Sequence, residues 1–98
     1  MAQVIWSGRA LGDLQSIHER VASDNATAAA QLILQIALSV RRLEDFPLSG
    51  RVVPEFLGLG IREIIVRRYR IAYEIAGDKV EILKVQHGAR LLRVSDLT

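Results

Sequence analysis

From Tyr69 to Ile75 the side chains sort into two sets by strict alternation. Tyr69, Ile71, Tyr73 and Ile75 fall on one side, and Arg70, Ala72 and Glu74 on the other. A period of two with one apolar set is the pattern of a strand half-buried in a sheet. Gly77-Asp78 then reads as a tight hairpin turn into a further strand, Lys79 to His87. Taken with the residues from Ile61 onward, the stretch Ile61 to Arg90 reads as three consecutive strands rich in arginine. A sheet of this kind needs its apolar face covered, and the first half of the chain supplies the cover.

Gln3-Val4-Ile5-Trp6 reads as a first strand, and Ser7 is placed to cap a helix running to about Ala22. Leu11, Leu14, Ile17 or His18, and Val21 give that helix one apolar face. Ser23-Asp24-Asn25 reads as a stop and restart. A second helix is expected from about Ala26 to Asp45, with Gln31, Gln35, Ser39 and Arg42 as its only polar stripe. One sheet cannot cover so much apolar helix surface, which leaves Leu34 and Leu38 as candidates for contact with another chain. Phe46-Pro47 ends the helix, and Leu48 to Gly60, with Gly50, Pro54, Gly58 and Gly60, reads as a long irregular connection. In the last strand Val80 and Ile82 alternate with Leu83 and Val85, so both faces are partly apolar. The side bearing Leu83 and Val85 therefore needs a cover, either the tail Leu91, Leu92, Val94 and Leu97 or a segment from a partner. The expectation is an α+β fold in the order β-α-α-β-β-β, with residues 1–98 forming a single domain.

The chain has no Cys, which excludes disulfides and thiolate metal sites and suits a reducing compartment. His18 and His87 lie too far apart to suggest a zinc pair, and neither a metal nor a cofactor is expected. The start, MAQVIWSGRALG, lacks the features of a secretory signal. The most apolar run, Ala26 to Val40, is too short and too interrupted to span a bilayer. A cytoplasmic protein without membrane contact is therefore expected. Charge is unevenly shared: residues 1–49 hold four bases against five acids, and residues 50–98 hold nine against six. Most of these bases are Arg, whose planar fork suits phosphate and carboxylate.

Arg51, Arg62, Arg67, Arg68, Arg70, Arg90 and Arg93 are placed to converge near the open face of the sheet, a surface suited to an anionic partner. Glu55, Arg70 and His87 have the chemistry of a base, a charge stabiliser and an acid, the roles that cleavage of RNA by its own 2′-hydroxyl requires. No GxGxxG, P-loop, GxSxG or HExxH motif is present.

In this order and spacing "FPLSGRVVPE", "REI", "YRIAY" and "HGAR" resemble the RelE/ParE superfamily of toxins over nearly the whole chain. The resemblance implies a helical hairpin on one face of a curved, mainly antiparallel sheet. It implies the toxin half of a type II toxin–antitoxin module, held in a hetero-oligomer by a ParD- or RelB-like antitoxin. Leu34, Leu38, Leu83 and Val85 are the residues expected to meet that antitoxin. ParE-like members inhibit DNA gyrase by binding it, whereas RelE-like members cut messenger RNA on the ribosome. By resemblance Arg70 matches the arginine of the strand motif, His87 the place of a general acid, and Glu55 the neighbourhood of a base in the nuclease branch. Gly88 stands where that branch has an aromatic, and its lysine pair is missing, so the "HGAR" ending is closer to ParE. On that reading Arg51, Arg62, Arg70, His87, Arg90 and Arg93 contact the target.

Overall fold

The computed structural model describes residues 1–97. Strand β1 (Gln3–Trp6) leads into helix α1 (Gly8–Ala22), where the Ser7 hydroxyl accepts the Ala10 N–H at 3.1 Å and closes the first turn. Asn25 does the same for α2 (Ala26–Arg41), accepting the Ala28 N–H at 3.0 Å. The second helix was expected to reach Asp45. It ends at Arg41 and tightens into a single turn over Arg42–Glu44, a common way to satisfy the last carbonyls of a helix.

The expected irregular connection holds two small elements. Strand β2 (Arg51–Val52) and a helical turn over Pro54–Phe56 lie within it. Two paired residues are too few for any periodicity to register. Strands β3 (Ile61–Val66), β4 (Tyr69–Ala76) and β5 (Lys79–His87) follow as anticipated, giving a five-stranded sheet in the order β1-β5-β4-β3-β2. All pairings are antiparallel except β1 with β5. Arg67 and Arg68 are not strand residues: they form the β3–β4 turn, and Arg67 takes a left-handed φ of 53°.

The two helices cover one face, α1 over β5 and α2 over β3. Ile17, Leu32, Ile36, Ile71, Tyr73 and Val80 fill that layer, so the alternation of β4 is obeyed. On the other face Val53, Phe56, Ile61, Ala72, Leu83 and Leu92 form a second, smaller core with Leu97 packed on it. Among the described residues no helix is long and apolar enough to cross a membrane.

The mixed pattern of β5 has a specific cause. Tyr73 pairs with Ile82 but Ala72 with Lys84, so Leu83 is an extra residue, a β-bulge. Beyond it the alternation changes phase, and Val85 returns to the helix side, where it joins Val80 and Ile82. Asp13 of α1 marks the spot: its carboxylate accepts the Val85 N–H at 2.9 Å and the Lys84 ammonium at 3.1 Å. Of the four apolar residues of β5 named above, Leu83 alone faces the open side, under the chain's own Leu92. The expectation that Leu83 and Val85 present an unfinished face to an antitoxin is thus corrected. Both are buried within this chain, one in each core.

Candidate functional site

The open face carries a charged network around Arg70, begun by strand register. Arg51 of β2 lies directly opposite Glu63 of β3, and Arg70 of β4 lies diagonally across from Glu63, because Glu63 pairs with Ala72 and Ile65 with Arg70. Neighbours at this spacing on one face are within reach of long side chains. Glu63 accepts from Arg51 Nε at 2.7 Å and from Arg70 Nε at 2.6 Å, with its own side chain wholly buried. The rest of the Arg70 fork is spent on Glu55: Nη1 donates to Oε2 at 2.6 Å and Nη2 to Oε1 at 2.8 Å. Nη1 also donates to the Arg90 carbonyl, and Glu55 Oε2 accepts the Leu92 N–H at 3.0 Å. The network therefore fastens the tail to the sheet.

These contacts set the local acidity. The Arg70 fork, helped by the Leu92 N–H and opposed by partial burial, holds the Glu55 carboxyl down at about 2. Arg70 is correspondingly pushed above its ordinary value, chiefly by Glu55 and then by Glu63. A carboxylate this acidic is a poor general base near neutral pH.

Below the network, Gly50 explains why the Gly-Arg pair is built as it is. Its N–H donates to the Tyr73 hydroxyl at 2.9 Å, and that hydroxyl donates to the Pro47 carbonyl at 2.7 Å. A Cβ on residue 50 would lie 2.5 Å from the Tyr73 oxygen and 2.7 Å from the Glu63 carbonyl, so only glycine lets β2 approach and present Arg51. Burial pushes the Tyr73 phenol up, which keeps it neutral in this role.

The predicted site residues separate. Glu55 and Arg70 meet, but they neutralise each other. His87 pairs with Tyr69, on the helix side, while Arg70 pairs with Gln86 on the opposite face. Its ring stands edge-on to Tyr69 at 5.8 Å and its Nδ1 accepts the Ala89 N–H. The acid, base and stabiliser constellation is not assembled. Arg62 also faces the helix side, opposite Tyr73, and donates to the Gly50 carbonyl at 2.8 Å, so it does not belong to the open-face surface. Arg51, 60% exposed, borders a groove of about 600 Å³ with Pro54, Ile65, Arg67, Arg68 and Leu91. Arg90 and Arg93 are exposed on the tail side. Leu34 and Leu38, 60% and 53% exposed, stand on α2 without cover, as the surplus of apolar residues in that helix requires.

Glu63 was not among the predicted site residues, although it holds both Arg51 and Arg70. Its signal was present: a lone acid on a strand face otherwise lined by Ile61 and Ala72 needs a buried cation beside it.

A family model described as the ParE toxin of the type II toxin–antitoxin system parDE matches residues 4–92. Toxin RelE2 of Caulobacter vibrioides is 35% identical over 92 residues, covering 93% of this chain and all of that protein. Putative toxin Y4kP of Sinorhizobium fredii is 36% identical over 87 residues, covering 87% and 86% of the two chains. Among solved structures, the chromosomal ParDE system from P. aeruginosa superposes with a TM-score of 0.75 at 20% identity, over 89% of this chain and 96% of that one. The toxin–antitoxin complex RelBE2 from Mycobacterium tuberculosis gives 0.56 at 22% identity, over 88% and 96%. The two structures share the fold; the sequence matches carry the kinship. With nearly its whole length matched, the chain belongs to the ParE toxin family of type II toxin–antitoxin systems.

Proposed function

We propose that this toxin acts by binding DNA gyrase and not by cutting RNA, and that an antitoxin neutralises it by covering the exposed face of α2. The observation that supports the non-catalytic reading is the state of Arg70. Its side chain is 7% exposed and its fork is filled by two carboxylates and a carbonyl, leaving no free guanidinium to stabilise a phosphorane. Glu55 is too acidic to take a proton from a 2′-hydroxyl, and His87 lies across the sheet from both. What remains exposed is a binding surface: Arg51 beside the groove, with Arg90 and Arg93 along the tail. Leu34 and Leu38, one turn apart on α2, offer a partner helix an apolar seam.

The test is a paired assay with purified toxin. Gyrase supercoiling should be inhibited while messenger RNA in a translating extract stays intact, and cognate antitoxin should reverse the inhibition. Cleaved message with normal supercoiling would instead establish the RelE-like ribosome-dependent nuclease and return Glu55, Arg70 and His87 to catalytic roles.

A further inference from the structure

Two surface depressions meet at the β3–β4 turn, and a third adjoins them at His87. Arg67 and Arg68 line both the groove of about 600 Å³ on the open face and a depression of about 330 Å³ on the helix side. His87 lines the second and also a third, of about 130 Å³, which Arg20 and Arg90 border. The carboxylates among these linings, Glu55 and Asp13, are already paired with Arg70 and Lys84. Among the described residues Arg20 and Arg67 hydrogen-bond through their guanidinium groups only to neutral partners, the Tyr69 hydroxyl and the Gln35 amide oxygen. The guanidinium groups of Arg68 and Arg90 have no ion-pair or hydrogen-bond partner among the described residues. Four cations thus gather at one end of the sheet with their charge uncompensated.

Local structure does not ask for arginine here. A two-residue hairpin turn with a left-handed residue is better served by Asn or Gly, and Arg67 at φ 53° is strained by comparison. What arginine adds at the tip is charge and a fork matched to phosphate. Tyr69 is buried and His87, the other ring in these linings, is half-buried and edge-on to it, so the depressions offer charge far more than a stacking platform for unpaired bases. Contact of this kind reads a charged backbone, and the densest regular one is a double helix. We infer that the β3–β4 turn, Arg67-Arg68 flanked by Arg20 and Arg90, docks on the phosphodiester backbone of double-stranded DNA.

The experiment is fluorescence anisotropy of a short labelled DNA duplex with the full-length toxin, repeated from about 50 to 200 mM salt. Three or four phosphate contacts give a slope of log affinity against log salt of about −3. Arg68→Ala and Arg67→Gly should each reduce that slope by about one. Arg67→Gly should do so with an unchanged or higher Tm, because glycine relieves the turn. Arg41→Ala, at the far end of α2 and about 9 Å along its axis from Gln35, the residue of α2 that Arg67 contacts, should leave the slope as it is. An unchanged slope in both turn variants, tighter binding to a single-stranded RNA of equal length, or no duplex binding at the lowest salt would overturn the inference. The assay contains no gyrase, so its failure leaves the gyrase proposal to the supercoiling test, and failure there leaves this result standing.

Discussion

Glu63→Gln is the substitution that most directly probes the network. The side chain keeps its shape but loses its charge and one of its two acceptor oxygens, and the new amide would turn an N–H toward a guanidinium donor. Both oxygens are in use, at 2.7 Å to Arg51 and 2.6 Å to Arg70, and the residue is wholly buried. A lost hydrogen bond to a charged group costs about 1.5 to 3 kcal/mol, and a buried pair broken outright about 3 to 5. Arg70 keeps its fork on Glu55, which excludes the upper end, and Arg51 falls back on solvent. The expected loss is therefore about 3 kcal/mol. For a domain of this size that lowers Tm by about 12 to 24 °C. Glu55→Gln, at a partly exposed carboxylate, should cost about half as much. Calorimetry of the two variants ranks them. A Tm drop for Glu63→Gln smaller than that for Glu55→Gln would refute the claim that Glu63 organises the site.

Three further outcomes follow from the same geometry. Because Glu55 sits at about 2 in the folded chain against an ordinary 4.5, its contribution is present above the ordinary value and is lost as pH falls from 4.5 through 2. Urea unfolding of Glu55→Gln should thus show a deficit at neutral pH that closes near pH 2, and a constant deficit across that range contradicts the pairing. Gly50→Ala should cost about 1 to 3 kcal/mol by forcing a Cβ against Tyr73 and the Glu63 carbonyl, and circular-dichroism melts will register it; a neutral result means β2 does not approach so closely. Leu34→Glu and Leu38→Glu should each weaken antitoxin binding about tenfold in titration calorimetry with Tm nearly unchanged, whereas a large Tm loss would place those residues inside the fold.

Much of this architecture is legible in the sequence, because period and punctuation are local properties. The alternation of Tyr69 to Ile75, the Ser7 and Asn25 caps and the Gly77-Asp78 turn are each decided within a few residues. What escapes is decided at a distance. The bulge at Leu83 exists because β4 and β5 run out of phase, with Asp13, some seventy residues earlier, binding the backbone beside it. Without the bulge, Val85 reads as open-face, which is how the sequence alone assigns it. The divided site has the same origin. Register sets Glu63 beside Arg70 and the turn Pro54–Phe56 brings Glu55 to the same fork, while His87, opposite Tyr69, is sent to the other side by the ladder.

The arginines of the second half therefore fall into two kinds with different consequences for the target. Arg70 can reach a phosphate only by releasing Glu55, and giving up the charged hydrogen bonds of that partly exposed pair costs about 1.5 to 3 kcal/mol, a penalty of about one to two orders of magnitude in any equilibrium that requires it. The same release would free the Leu92 N–H and loosen the tail from the second core. Arg67, Arg68 and Arg90 need no such rearrangement, since nothing anionic holds them among the described residues. A ligand that meets this surface at rest meets those three first. Engagement of Arg70 would require a partner able to supply, from its own contacts, the free energy of opening the network.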